Sequence, residues 1–129
     1  MKRFARLAFP LVIAFVFGVV VLRGANKANQ QQNNTPMSFT GEIMDSACGA
    51  LGSHAQMMKK EGLKTAKECT QLCVKNGSTY VLYVAANRTV YHLDDQDKPI
   101  DYAGERVTIV GTYNGSTKSI HIQSIQAVP

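Results

Sequence analysis

Apolar and polar residues alternate along two stretches near the C-terminal end. From Arg106 to Tyr113, Val107, Ile109 and Gly111 fall on one side of an extended chain, and Thr108, Val110 and Thr112 fall on the other. From Ser119 to Val128, Ile120 and Ile122 flank the polar His121. A period of two is the signature of half-buried strands. Asn114-Gly115 between them is a hairpin turn signal. Thr79 to Ala85 is rich in Val, Leu and Tyr, and Thr89 to Leu93 follows after Ala86-Asn87-Arg88, which predicts a second hairpin. Phe39 to Asp45 predicts the first strand. The period changes in between. Ala66, Cys69, Leu72 and Cys73 recur at helical spacing, Thr65 and Glu68 form a capping box, and Asn76-Gly77 supplies a stop. A shorter helical turn is expected over Ser53 to Glu61.

This order predicts a mainly β domain, a small five-stranded OB-like barrel with a helical insertion after strand 1. Five strands in so short a segment point to a closed or partly closed barrel, which removes exposed edges. The expected domain covers residues 38–129, with no internal repeat.

The N-terminal pattern is different. Residues 7–22 run from Leu7 to Leu22 without a charge, fenced by Arg6 and Arg23 and preceded by Lys2 and Arg3. A positive start followed by an apolar run predicts an N-terminal apolar helix over residues 1–25, either a signal peptide or a signal anchor. The run is just short of the ~17 residues that cross a bilayer, and Arg23-Gly24-Ala25-Asn26 offers no clean small-residue cleavage site, so both readings stay open. In either case the domain is expected outside the cytoplasm, periplasmic or secreted, or tethered to the inner membrane through residues 7–22. No cysteine precedes Cys48, which excludes a lipid anchor at the signal. Residues 26–37 are polar and low in complexity and read as a flexible linker.

Charge sharpens this picture. The 129-residue chain carries 14 basic and 9 acidic residues. Lys2, Arg3, Arg6, Arg23 and Lys27 all precede the first acid, Glu42, so the rest of the chain is formally neutral. A nucleic-acid partner is excluded, because it requires a basic face on the folded part.

The candidate chemistry lies in the cysteines. Three in an exported chain is an odd number. Cys69 and Cys73 share a helical face, and Cys48 at the end of the first strand can reach it. One reading is a disulfide from Cys48 to Cys69 or Cys73, the default in an oxidising compartment, which closes a loop for about 3 kcal/mol. Another is a metal site of Cys48, His54, Cys69 and Cys73. A Cys3His set suits tetrahedral zinc, and thiolates with the thioethers of Met57 and Met58 suit cuprous copper. A third is thiol–disulfide exchange, although Cys69-Thr70-Gln71-Leu72-Cys73 is not the C-x2-C spacing of thioredoxin-like enzymes. Asp45 beside Cys48 fits either a cap or a partner to a metal ligand.

The segments Gly41 to Cys48, Glu68 to Gly77 and Ala103 to Tyr113 together resemble an uncharacterised family of small secreted bacterial OB-like β-barrel domains with a three-cysteine pattern. The resemblance spans roughly residues 38–127 and implies the fold and the compartment, without an activity.

Other candidates are weaker. His92 and His121 read as solvent-facing strand residues. Asp94, Asp95, Asp97 and Asp101 lack the spacing and glycine of a calcium loop. The five tyrosines read mainly as sheet packing. No nucleophile, phosphate-loop or metalloprotease motif occurs. The expected function is therefore a non-enzymatic envelope binding or interaction module for an unidentified envelope ligand or protein, stabilised by a disulfide. Zinc or cuprous-copper binding is the first alternative and thiol–disulfide oxidoreductase the second.

Overall fold

The computed structural model describes residues 33–129. The signal or anchor over residues 1–25, including residues 7–22, and the linker up to residue 32 lie outside the described residues. Among the described residues no helix is long and apolar enough to cross a membrane.

The first strand, β1, runs Asn33–Asp45. Three short helices follow: α1 (Ser46–Leu51), α2 (Ala55–Glu61) and α3 (Ala66–Lys75). The chain then returns as β2 (Tyr80–Val84) and β3 (Thr89–Leu93), passes a 3-10 turn at Ile100–Tyr102, and ends in β4 (Arg106–Asn114) and β5 (Ser119–Ala127). The strands close into a barrel in the order β1-β2-β3-β5-β4. The expectation of a mainly β, five-stranded barrel with a helical insertion after the first strand holds in the structure, which closes the barrel fully.

Long strand β1 makes the closure. Its C-terminal part pairs with β2 from Glu42↔Tyr83 to Asp45↔Tyr80, while the stretch before it pairs with β4. All pairs are antiparallel except β3 with β5, joined through His92↔Ser119 and Leu93↔Ile120. The crossover from β3 is fastened by Gln96. Its side-chain oxygen accepts from the Tyr80 amide at 2.7 Å, and its side-chain nitrogen donates to the carbonyls of Tyr80 and Leu93 at 3.1 and 2.9 Å.

The strand begins earlier than the sequence pattern suggests. Asn33 and Met37 already pair with Tyr113 and Gly111, so residues 33–37 belong to the barrel and not to the linker. Residues 34–38 are exposed. Pairing with β4 is irregular between Asn33 and Met37, and this exposed stretch carries no apolar alternation to read. The end of β1 also differs. Cys48 is not on the strand, because Asp45 starts α1 by accepting from the amides of Ala47 and Cys48 at 3.1 and 3.0 Å.

Inside the barrel, Phe39, Ile43, Leu82, Val107, Ile109, Ile120 and Ile122 form the main core. The alternation along β4 and β5 sends these residues inward, and burial of each such aliphatic side chain contributes about 1.5–3 kcal/mol. Tyr91 and Tyr113 pack edge to face beside Phe39, with ring centres 5.5 Å apart. A second apolar cluster of Met44, Cys48, Cys69 and Val81 sits between the barrel wall and the helices.

Helix α3 is set against the barrel at Gly104, whose φ of 72° is left-handed. A Cβ there would collide with the backbone of Ala66 and Lys67. Only glycine meets both the dihedral and the close approach. The expected capping box is present: Thr65 Oγ1 accepts from the Glu68 amide at 3.1 Å, and Glu68 Oε2 accepts from the Thr65 amide at 3.1 Å. The start of α3 is thereby fixed, and with it the rotation that turns Cys69 toward Cys48.

Candidate metal centre

Four residues, one at the end of β1 and three from the helical insertion, converge beside the barrel wall. Asp45 ends β1, Cys48 lies in α1, His54 precedes α2 and Cys69 lies in α3. Each offers a donor atom within 4.8 Å of the others. All four are buried: Asp45 and Cys69 are 0% exposed, Cys48 1% and His54 8%.

Hydrogen bonding identifies which donor atoms are free. Asp45 Oδ1 caps α1, and Asp45 Oδ2 is buried without a partner. His54 Nε2 lies 3.0 Å from Glu42 Oε1, and His54 Nδ1 is buried without a partner. A carboxylate has only lone pairs, so His54 Nε2 carries the proton of that bond. The neutral ring then presents a bare lone pair at Nδ1. An unpaired buried polar atom costs about 1–3 kcal/mol. Two such atoms next to two sulfurs are well suited to a cation and poorly suited to an apolar core.

The three cysteines are free thiols in this structure. The Cys48 and Cys69 sulfurs are 3.8 Å apart, far beyond the ~2.05 Å of a disulfide bond. In this structure no cysteine pair stands at bonding distance, so the expected Cys48–Cys69 or Cys48–Cys73 bridge is not seen. Burial, then the adjacent Asp45 carboxyl and Cys69, pushes the Cys48 thiol well above its ordinary value. Burial, again joined by Asp45 and Cys69, raises Cys73 to about 11. With no cation these sulfurs stay protonated; a divalent metal reverses that preference.

The structure brings three of the four expected ligands together and exchanges the fourth. Cys73 is buried one helical turn from Cys69, beside Cys69 and Asp45, yet Asp45 and not Cys73 completes the converging group. Met57 and Met58 pack against the Cys48 and Cys69 cluster. Glu42 was missed as the partner of His54. Asp45, expected as a cap or as a partner to a metal ligand, caps α1 through Oδ1 and stands in the converging group itself. Nothing local marks Glu42, which reaches His54 across twelve residues of chain.

The remaining candidates do not converge. Asp94 accepts from His121 and from the Ile122 amide, and Asp95 caps its own turn and pairs with Lys98. These carboxylates hold the crossover and form no metal-ligating group among the described residues. His92 and His121 are exposed, as expected of outward strand positions.

Comparison with family models, with curated proteins and with solved structures finds no match to this chain. The site's own chemistry therefore carries the functional argument.

Proposed function

We propose that the chain is a zinc-binding barrel domain that acts outside the cytoplasm, with Asp45, Cys48, His54 and Cys69 as the ligands. The observation that carries this reading is the pair of orphaned buried atoms, Asp45 Oδ2 and His54 Nδ1, beside two thiol sulfurs. The sulfur spacing supports it as well. Two sulfurs bound tetrahedrally at about 2.3 Å from zinc stand about 3.8 Å apart, which matches the 3.8 Å between Cys48 and Cys69. A mixed set of two sulfurs, one imidazole and one carboxylate suits zinc. Cuprous copper favours sulfur throughout and gains little from a carboxylate oxygen.

Four protein ligands in a buried site leave no position for a water molecule or substrate, which is the pattern of structural rather than catalytic zinc. The metal ties the end of β1 to α1, α2 and α3. Its role is to hold the helical insertion on the barrel, the task the sequence assigned to a disulfide. The strand order β1-β2-β3-β5-β4 supports the OB-like reading of the barrel. The basic start and the apolar run of residues 7–22 support export or anchoring, with the domain serving as a non-enzymatic envelope module.

Metal analysis of the purified domain tests the proposal. One zinc per chain is expected, and its removal by a chelator lowers the melting temperature. A domain that neither retains zinc nor melts higher when zinc is added overturns the reading. Asp45→Asn, His54→Ala, Cys48→Ser and Cys69→Ser are each expected to abolish stoichiometric retention.

The 3.8 Å approach of Cys48 and Cys69 favours one second reading. The same two sulfurs form a disulfide when the metal is absent and an oxidant is present, and the two states exclude each other. Thiol counting separates them: three reactive thiols after zinc removal and unfolding, against one in the bridged form.

A further inference from the structure

The four-ligand group is sealed, and that raises the question of how an ion reaches it. Two surface depressions flank the site. The first, about 440 Å³, is lined by Glu42, Tyr83 and Arg106. The second, about 250 Å³, is lined by Met57, Glu61, Leu72 and Cys73.

Resting on the zinc reading, we propose that Cys73 is the uptake ligand of the centre. A thiophilic divalent cation binds Cys73 first in the second depression and then passes to Cys69 and Asp45. Cys73 is 7% exposed, against 1% for Cys48 and 0% for Cys69, so among the three thiols it alone reaches a surface depression. Cys73 stands one helical turn from Cys69 on α3, both side chains buried. Met57 lines the same depression and also packs against the Cys48 and Cys69 cluster, which places a thioether along the route.

On the opposite side the acidic group linked to the centre is Glu42, with its side chain 36% exposed, and it holds His54 through Nε2. The free nitrogen, Nδ1, lies on the other side of the ring. Transfer from Glu42 would require the imidazole to turn over inside a buried site, whereas transfer from Cys73 to Cys69 requires only a change of sulfur. The step is ligand exchange: each thiol loses its proton to solvent as its bond to the metal forms, and Cys73 takes a proton back as it leaves.

The test is stopped-flow zinc delivery from a chromophoric chelator to reduced, metal-free domain. Cys73→Ser and Cys73→Ala are both expected to bind one zinc at equilibrium. Their uptake should be slower by about tenfold, equivalent to about 1.4 kcal/mol on the uptake barrier. Glu42→Ala is expected to hold zinc less tightly, because Glu42 orients His54. Uptake by both Cys73 variants at the wild-type rate overturns the proposal and leaves the zinc site standing. Loss of stoichiometric zinc in both Cys73 variants also overturns it, because Cys73 would then be a permanent ligand. Absence of uptake by the wild-type domain overturns the zinc reading and the route together.

Discussion

Glu42 Oε1 holds His54 Nε2 at 3.0 Å and so leaves Nδ1 as the buried ring nitrogen without a partner. Glu42 lies on β1, part of the barrel wall, whereas His54 lies in the insertion, between α1 and α2. The pair therefore links the barrel to the candidate centre and fixes the imidazole's orientation before a metal arrives. Carboxylates that orient a ligating histidine commonly act in this way.

Removing that carboxylate should weaken metal binding without unfolding the barrel. Glu42→Ala is expected to reduce zinc affinity by about 10–100-fold, measured by competition with a chelator of known affinity. An unchanged affinity would mean that His54 is not a ligand through Nδ1.

Metal and disulfide compete for the same sulfurs. Incubating the zinc-free domain with a small-molecule disulfide should join Cys48 to Cys69, with loss of the two thiol hydrogens and release of two equivalents of the reduced reagent. Peptide mapping should then find Cys73 as the free thiol. The zinc-loaded domain should resist the same treatment. Equal oxidation rates with and without zinc would show that the metal does not bind these thiols.

Gly104 carries the docking of α3. Gly104→Ala forces a non-glycine residue to a φ of 72° and places a methyl group on the backbone of Ala66 and Lys67. A loss of at least about 1–3 kcal/mol is expected in chemical denaturation. Because α3 carries Cys69, zinc affinity should fall in parallel. A variant with full stability would show that α3 can shift on the barrel without cost.

Asp94 gives an acid-side dependence of stability. Burial alone raises its carboxyl, but the His121 ring and the amides of Ile122 and Asp95 together outweigh burial and hold it below the ordinary carboxylate value. A depressed folded-state value means that the group stabilises above its unfolded value and loses that contribution as pH falls through the folded one. Denaturation series from neutral to strongly acid pH should therefore show a smaller acid-side slope for Asp94→Asn than for the wild type. The side chain is 39% exposed, so the difference will be modest. Parallel slopes would remove Asp94 from the account.

Much of the fold was legible because it is encoded locally. The alternation of Val107, Ile109 and Gly111 is buried along β4, and Ile120 and Ile122 face the core on either side of exposed His121. Thr65 and Glu68 cap α3 as their spacing requires. Parts of the site were legible too, since Cys48, His54 and Cys69 do meet. Less visible was α1, a single short turn started by Asp45, which lifts Cys48 off the strand. The polar start of β1 was also hidden, because this exposed stretch carries no apolar alternation and its pairing with β4 is irregular.

The sequence by itself determined a closed or partly closed set of strands, a helical excursion after the first of them and a shortage of disulfide partners for three thiols. Periodicity and capping act over a few residues, and such signals survive in one dimension. Only the tertiary structure decided that Asp45 takes the place of Cys73 in the donor group and that Glu42 orients His54. Those choices depend on how three short helices settle against a curved sheet, and differences of a few ångströms between packed elements leave no periodic trace along the chain.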